Sequence, residues 1–150
     1  MEALRTDKES VMKIIISIIF ALLFITFGVQ YFSNGSASAA MEEGTALVAI
    51  KTPESYSQNA QIGKRLFEAK CADCHGPNAV GQAGVAPSLI HIIYEPNHHG
   101  DESFQRAVAL GVRAHHWKFG NMPAVAGLTR AEVKSIIAYV RELQRHNGIF

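Results

Sequence analysis

The residue types with the clearest chemistry lie together at positions 71–75, where Cys71 and Cys74 are three positions apart and His75 follows directly. This spacing is typical of covalent haem attachment. One turn of backbone can bring both sulfurs to the vinyl groups along one edge of a haem, and the imidazole can then ligate the iron from below. We therefore predict one covalent haem c, held by Cys71 and Cys74 with His75 as the proximal ligand.

A redox couple and half of a zinc site are the two alternatives to haem attachment for the cysteine pair. A thioredoxin-like redox couple needs a βαβ context, which the sequence does not indicate. Half of a zinc site needs a second pair of Cys or His ligands, and none follows at zinc-ligand spacing. The chain has two cysteines in all. The sequence therefore favours haem over both alternatives.

Length and charge limit the remaining classes of function. A chain of 150 residues has room for one small domain and a tail. The formal net charge of +1 lacks the strongly basic balance that is typical of nucleic-acid-binding proteins. We predict that residues 58–150 form the folded domain. Because so small a domain has a thin core, a covalently held haem would supply apolar bulk.

The N-terminal part contains a candidate membrane segment. Residues 1–13 are polar, whereas residues 14–32 carry no charge and end in Tyr31 and Phe32. Nineteen helical residues span about 28 Å, close to the hydrocarbon thickness of a bilayer. We predict a transmembrane anchor over 14–32. The alternative is a cleaved signal peptide, with its cleavage site among the small residues 36–40, although such a peptide has a shorter apolar region.

Basic residues on one side of the apolar segment predict its orientation. No Lys or Arg follows the segment until Lys51, and three precede it: Arg5, Lys8 and Lys13. The positive-inside rule then places the N-terminus in the cytoplasm and the haem domain outside. In a bacterium this means a single-pass protein of the inner membrane with a periplasmic haem domain, where covalent haem attachment also takes place.

A linker is predicted over residues 33–57. Residues 33–40 are rich in Ser, Gly and Ala, which is typical of a flexible segment. The apolar residues 46–50 predict a short strand or packing segment that ends before Pro53. If all 25 residues were flexible, their r.m.s. reach would be about 28 Å.

Three helices are predicted in the C-terminal domain. Apolar spacing places the first at 58–69, directly before Cys71. A second is expected over 102–110, starting at Asp101 or Ser103. Thr129-x-x-Glu132 is a capping box that begins the third helix, 130–145. The expected fold class is therefore all-α.

The helix before the motif carries a family resemblance. Gly63-x-x-Leu66-Phe67-x-x-x-Cys71-x-x-Cys74-His75 resembles the first helix and attachment site of class I cytochromes c, and the resemblance covers about residues 58–147. It implies the class I cytochrome c fold, here with one N-terminal transmembrane helix. It also implies that the last helix, with Ala138-Tyr139-Val140, crosses the first near Gly63.

The resemblance also implies roles for residues beyond the motif. Pro87 would accept a hydrogen bond from His75 through its carbonyl and so fix the imidazole ring. Met122-Pro123 resembles the distal ligand loop, so Met122 would be the sixth ligand of the iron. A thioether ligand raises the potential, whereas His115 or His116, the competing distal ligands, would lower it.

Trp117 and the paired histidines each have two possible roles. The indole N–H of Trp117 could donate to a haem propionate, or the ring could be a core aromatic. The pairs His98-His99 and His115-His116, with His91 nearby, could form a second site for zinc or copper. Because adjacent residues rarely ligate one metal together, we favour exposed loop histidines.

The function favoured by these residues is electron transfer. An iron with both His75 and Met122 bound has no open position for a substrate, so no enzymatic activity and no small-molecule substrate are expected. Tethering suggests a shuttle between a quinol-oxidising complex and a terminal oxidase or photosynthetic reaction centre. The alternative is a fixed haem subunit of a larger respiratory oxidase or dehydrogenase. A peroxidase or gas sensor would need an open iron.

Overall fold

The computed structural model describes residues 3–34 and 42–150, and the chain divides into two units, Met1–Ala40 and Met41–Phe150. Short 3-10 turns occupy Pro77–Ala79 and Ile92–Tyr94, and the helices are α1 (Ala3–Asn34), α2 (Gln58–Lys70), α3 (Ala72–His75), α4 (Asp101–Leu110) and α5 (Arg130–His146). The described residues contain isolated β-bridges but no β-strand. The predicted all-α class is confirmed.

The N-terminal unit is the helix α1, which includes the predicted apolar segment and extends beyond it at both ends. Its most apolar window is Val11–Gly28, with a mean hydropathy of 2.5 over 18 residues and none of it buried. This length and composition suit a membrane span, and a signal sequence would show the same features. The side chains of Tyr31 and Phe32, and the alternative cleavage site at 36–40, lie outside the described part of the chain.

The C-terminal unit is built on the crossing of α2 and α5. A Cβ atom added to Gly63 would lie 1.8 Å from the backbone oxygen of Ser135, so the two helices touch through their backbones at this point. One turn away, the rings of Phe67 and Tyr139 pack with their centroids 5.6 Å apart. Both aromatic side chains are fully buried. The predicted crossing near Gly63 is confirmed.

The start of α5 is fixed by local hydrogen bonds. Thr129 Oγ1 accepts from the backbone N–H of Glu132 at 3.2 Å, and the Glu132 carboxylate accepts from the backbone N–H of Thr129 at 2.8 Å. This reciprocal pair satisfies two N–H groups that a helix start leaves open. The predicted capping box is confirmed, and the helix runs one residue further than predicted, to His146.

Residues 42–57 do not form a linker. The backbone N–H of Gly44 donates to Ala83 at 2.9 Å, and Lys51 exchanges two hydrogen bonds of 2.8 Å with the side chain of Asn147. The prediction of a linker over 33–57 is wrong for this part. The r.m.s. reach of about 28 Å, which assumed that all 25 residues were flexible, is therefore wrong as well. Residues 33–34 belong to α1, and the remaining 35–41 lie outside the described chain.

Of the two alternatives predicted for residues 46–50, a short strand or a packing segment, the structure contains the packing segment. It makes one isolated bridge, between Ala46 and Gln82, rather than a ladder. Its last residue, Ile50, packs against the main core cluster. The sequence could not identify its partners, because they lie 30 or more positions away.

A buried arginine ties the segment before α4 to α5. Arg141 is 6% exposed, and its guanidinium donates to Tyr94 O at 2.6 Å, to the carbonyl of His99 and to Asp101 Oδ1 at 3.0 Å. Helix α4 begins at Asp101, one of the two predicted starts, and Gly100 is its N-cap. These bonds hold residues 94–101 in a defined position on the helix.

Candidate haem site

The end of α2 and the short α3 place the three motif side chains on one helical turn. Cys71 lies between the two helices, as the C-cap of α2 and the N-cap of α3. Its backbone N–H donates to Phe67 O at 2.8 Å. The N–H of His75 donates back to Cys71 O at 2.9 Å. Gly76 then stops the helix at φ +72°, a backbone conformation that favours glycine. The predicted pair of cysteines and the histidine are therefore adjacent in space.

His75 is oriented by a backbone carbonyl. Its Nδ1 lies 2.9 Å from Pro87 O, and because a carbonyl oxygen only accepts, the proton belongs on Nδ1. The lone pair is then on Nε2, the nitrogen that remains for a metal. Burial lowers the pKa of His75, and the bond to Pro87 opposes this in part, so the ring is neutral at pH 7.

The position of Pro87 depends on a close backbone approach at Gly81. A Cβ at Gly81 would lie 2.8 Å from Pro87 C and 2.3 Å from Ser88 N, and Gly81 has φ +75°. Ser88 is buried, and its hydroxyl donates to Ala79 O at 3.0 Å. Together these contacts fix the position of the Pro87 carbonyl, which accepts the hydrogen bond from His75.

Gln82 supports the attachment turn in a way that sequence reasoning missed. Its side-chain amide lies 3.3 Å, 2.7 Å and 3.1 Å from the carbonyl oxygens of Ala72, Asp73 and Cys74. Helix ends leave carbonyls without partners, and one amide group here serves the open end of α3. A glutamine in a glycine-rich loop carries no sequence signal for this role.

Both cysteine thiols are free, with Cys74 exposed and Cys71 half-buried. Burial, and then the neighbouring Cys74, raise the pKa of Cys71 to about 11. Two unpaired thiols on one turn, followed by an imidazole with Nε2 open, fit a covalently attached haem.

Met122 lies in a loop whose two ends are paired. Its N–H donates to Val112 O at 3.0 Å, and its own carbonyl accepts from the Val112 N–H at 2.9 Å. Gly111 has φ +75°, and a Cβ there would lie 2.5 Å from Met122 O. The side chain of Asn121 accepts from Ala114 N at 2.9 Å and closes the loop further. Met122 is thus half-buried on an anchored backbone, and its ligation of iron stays a prediction.

Trp117 has a partner other than the predicted one. Its indole N–H donates to the hydroxyl of Tyr94 at 3.0 Å, and its ring contacts that of His91 edge-on at 5.0 Å. An indole has a single donor, so a haem propionate could take it only by displacing Tyr94. The ring is half-buried, and a role toward a haem propionate stays a prediction.

The structure brings the two histidine pairs together. The rings of His98 and His116 have centroids 5.4 Å apart, and those of His99 and His116 lie at 5.2 Å. Crowding with His115, His99 and His98 adds to desolvation in lowering the pKa of His116. His115 and His116, the alternative distal ligands, are exposed and face this cluster.

A helical domain with two thiols and an imidazole on one turn defines a haem-carrying protein of the c type. The cytochrome c family model matches residues 60–144, and the chain belongs to this family. This domain therefore has the electron-transfer role of that family, in which haem c is bound covalently.

Three curated relatives are similar in sequence to this chain over part or most of its length. It is 30% identical over 158 residues to the cbb3-type cytochrome c oxidase subunit CcoP of Rubrivivax gelatinosus, covering 90% of this chain and 49% of the relative. It is 37% identical over 86 residues to the cbb3-type subunit FixPc of Rhizobium leguminosarum bv. viciae, covering 56% and 28%. Cytochrome c-554(547) of Halothiobacillus neapolitanus is 30% identical over 97 residues, covering 57% and 98%.

The chain spans about half or less of the two oxidase-subunit relatives, whereas it covers almost all of cytochrome c-554(547). No solved structure matches the chain.

Proposed function

We propose that the chain is a membrane-tethered carrier with one haem c that passes single electrons from a quinol-oxidising complex to a terminal oxidase or photosynthetic reaction centre. Cys71 and Cys74 hold the haem, and His75 and Met122 bind its iron. The observation that carries the proposal is the His75–Pro87 hydrogen bond of 2.9 Å, which presents a neutral imidazole with Nε2 open beside two free thiols.

The protein side chains determine what the site can do. Haem, when bound, supplies a one-electron couple between two oxidation states of iron. Pro87 keeps the Nδ1 proton of His75 in place and fixes the ring, which strengthens Nε2 as a ligand. Met122, on its paired backbone, would be the second protein ligand of the iron. With His75 and Met122 both bound, the iron would have no position for a substrate, so we propose a carrier rather than an enzyme.

Membrane attachment is supported by α1 and by the distribution of charge. The window Val11–Gly28 is long and apolar enough to cross a bilayer. The basic residues Arg5 and Lys8 precede this window, and Lys13 lies within its first turn. The positive-inside rule then gives a single-pass protein of the bacterial inner membrane, with a cytoplasmic N-terminus and the haem domain in the periplasm.

A second candidate function is a fixed haem subunit of a respiratory oxidase. It is favoured by the match to the CcoP subunit, which covers 90% of the chain and so includes much of α1 as well as the haem domain. The packing of residues 42–57 also favours it, because the segment that could act as a tether is shorter than the sequence suggested.

Haem attachment has a direct test. We expect one haem per chain by pyridine haemochrome assay, and we expect haem staining to stay with the polypeptide in a denaturing gel because thioether bonds survive denaturation. The double variant Cys71→Ala/Cys74→Ala should lose the stain. A stain that leaves the unmodified chain on denaturation would show that the haem is not covalent.

Gentle extraction of the membrane tests the function. We expect the protein to resist a high-salt wash, to need detergent for release and to migrate in mild detergent as a small species, because a spanning helix anchors it without a fixed partner. Co-migration with oxidase subunits would identify it instead as a fixed subunit. Release by salt alone, or a mature N-terminus near residue 40, would contradict the anchor and leave a periplasmic carrier.

A further inference from the structure

We propose that His98, His99 and His116 form a binding site for a divalent transition metal that prefers imidazole ligands, Zn²⁺ or Cu²⁺, separate from the residues assigned to haem. One ring nitrogen from each of the three histidines lies within 4.8 Å of the others. The three rings surround a common point, with centroid separations of 4.7, 5.4 and 5.2 Å. Imidazole nitrogens in such a group suit zinc, copper and nickel.

The hydrogen bonding of His99 prepares it as a ligand. Its Nδ1 lies 2.6 Å from Ile93 O, so Nδ1 carries the proton and Nε2 keeps its lone pair. A backbone carbonyl on the second ring nitrogen is the usual outer partner of a metal-binding histidine. His115 has the same arrangement, with Nδ1 2.8 Å from Arg113 O. Its ring lies 4.2 Å from that of His116, where it could supply a fourth nitrogen.

The backbone on both sides of the site is anchored. The carbonyl of His99 accepts from the guanidinium of Arg141, which is buried in α5. His116 lies in the loop closed by the paired hydrogen bonds of Val112 and Met122. The site therefore has a defined position on the surface, although its ligands come from two loops.

The ligand side chains have room to close on an ion. Tetrahedral zinc with Zn–N bonds of about 2.05 Å needs nitrogens about 3.3 Å apart, so the present spacing must shorten by rotation. His98 and His116 are exposed, and their rings can turn without disturbing the core, while His99 stays fixed. A bound ion would connect the loop that carries Met122 to the segment held on α5.

Metal titration of the oxidised, haem-loaded full chain tests the site. We expect one equivalent of Zn²⁺ by calorimetry, and one of Cu²⁺ by equilibrium dialysis in a separate arm, with a higher melting temperature in the metal-bound protein. His116→Ala and His98→Ala should each weaken binding by about tenfold or more, because each removes one ligand. His146→Ala, an exposed histidine at the end of α5, is the matched control and should bind as the unmodified protein does.

The arms separate the outcomes. Uptake of either metal that both cluster variants weaken supports the site and identifies its metal. Equal binding by the unmodified protein and both variants, or no stoichiometric uptake of either metal, overturns it. Far-UV circular dichroism and the haem Soret band check that the variants fold. Because the two substitutions lie in different loops, a variant that does fold decides the question if the other one does not.

Discussion

Replacing Met122 with alanine is expected to open the haem iron to carbon monoxide and to lower the reduction potential. Loss of the thioether removes the ligand that favours the reduced state, so the weak far-red absorption band of thioether-bound ferric haem should disappear completely. Alanine keeps the backbone N–H and carbonyl that pair with Val112, so the loop itself should persist. Absorption spectra with and without carbon monoxide, and a redox titration, measure the effect.

A methionine outside the haem domain provides the control for this experiment. Met12→Ala, in the apolar helix α1, should leave the band, the potential and the resistance to carbon monoxide unchanged. If the far-red band survives in Met122→Ala, then Met122 is not the ligand. His115→Ala/His116→Ala would then show whether one of these residues occupies the distal position.

Adding a single methyl group at Gly63 is expected to cause a large loss of stability. The Cβ of Gly63→Ala would lie 1.8 Å from Ser135 O, 2.4 Å from Ser135 C and 2.9 Å from Ile136 N. All three atoms belong to the α5 backbone, which cannot turn aside as a side chain would. Overpacking costs about 1–3 kcal/mol, and we expect the upper end. For a domain of this size the melting temperature should fall by about 10–20 °C.

Gly100→Ala is the matched control for this substitution. The nearest atom to its added Cβ would be Pro96 O at 3.5 Å, an ordinary contact, and its φ of −61° suits any residue. Its melting temperature should fall by only a few degrees, because alanine is a poorer N-cap than glycine but its Cβ meets no backbone atom at clashing distance. Equal melting temperatures for Gly63→Ala and the unmodified protein would show that the helices do not meet there.

The sequence by itself determined the features that depend on neighbouring residues. The spacing of Cys71, Cys74 and His75 indicated the cofactor, because one helical turn is enough to present all three. The helix bounds followed from apolar periodicity and from the capping box at Thr129 and Glu132, whose hydrogen bonds are local. The apolar helix α1 was evident from composition alone. Family resemblance added the crossing at Gly63 and the bond from His75 to Pro87, both of which the structure contains.

Only the tertiary structure decided which distant polar side chains meet. Residues 42–57 looked like a linker because their partners, such as Asn147, lie up to 96 positions away. Arg141 carries no sequence signal of burial, yet it is buried because three backbone or side-chain oxygens from residues 94–101 surround it.

The histidine cluster shows the same limit most clearly. His99 and His116 are separated by a helix, and the sequence left a shared zinc or copper site as the disfavoured alternative, because adjacent histidines rarely ligate one metal together. The fold returns the chain after α4 so that the two loops converge, and their rings come within 5.2 Å. Periodicity and spacing report on one element at a time, whereas such a site depends on how the ends of several elements pack together.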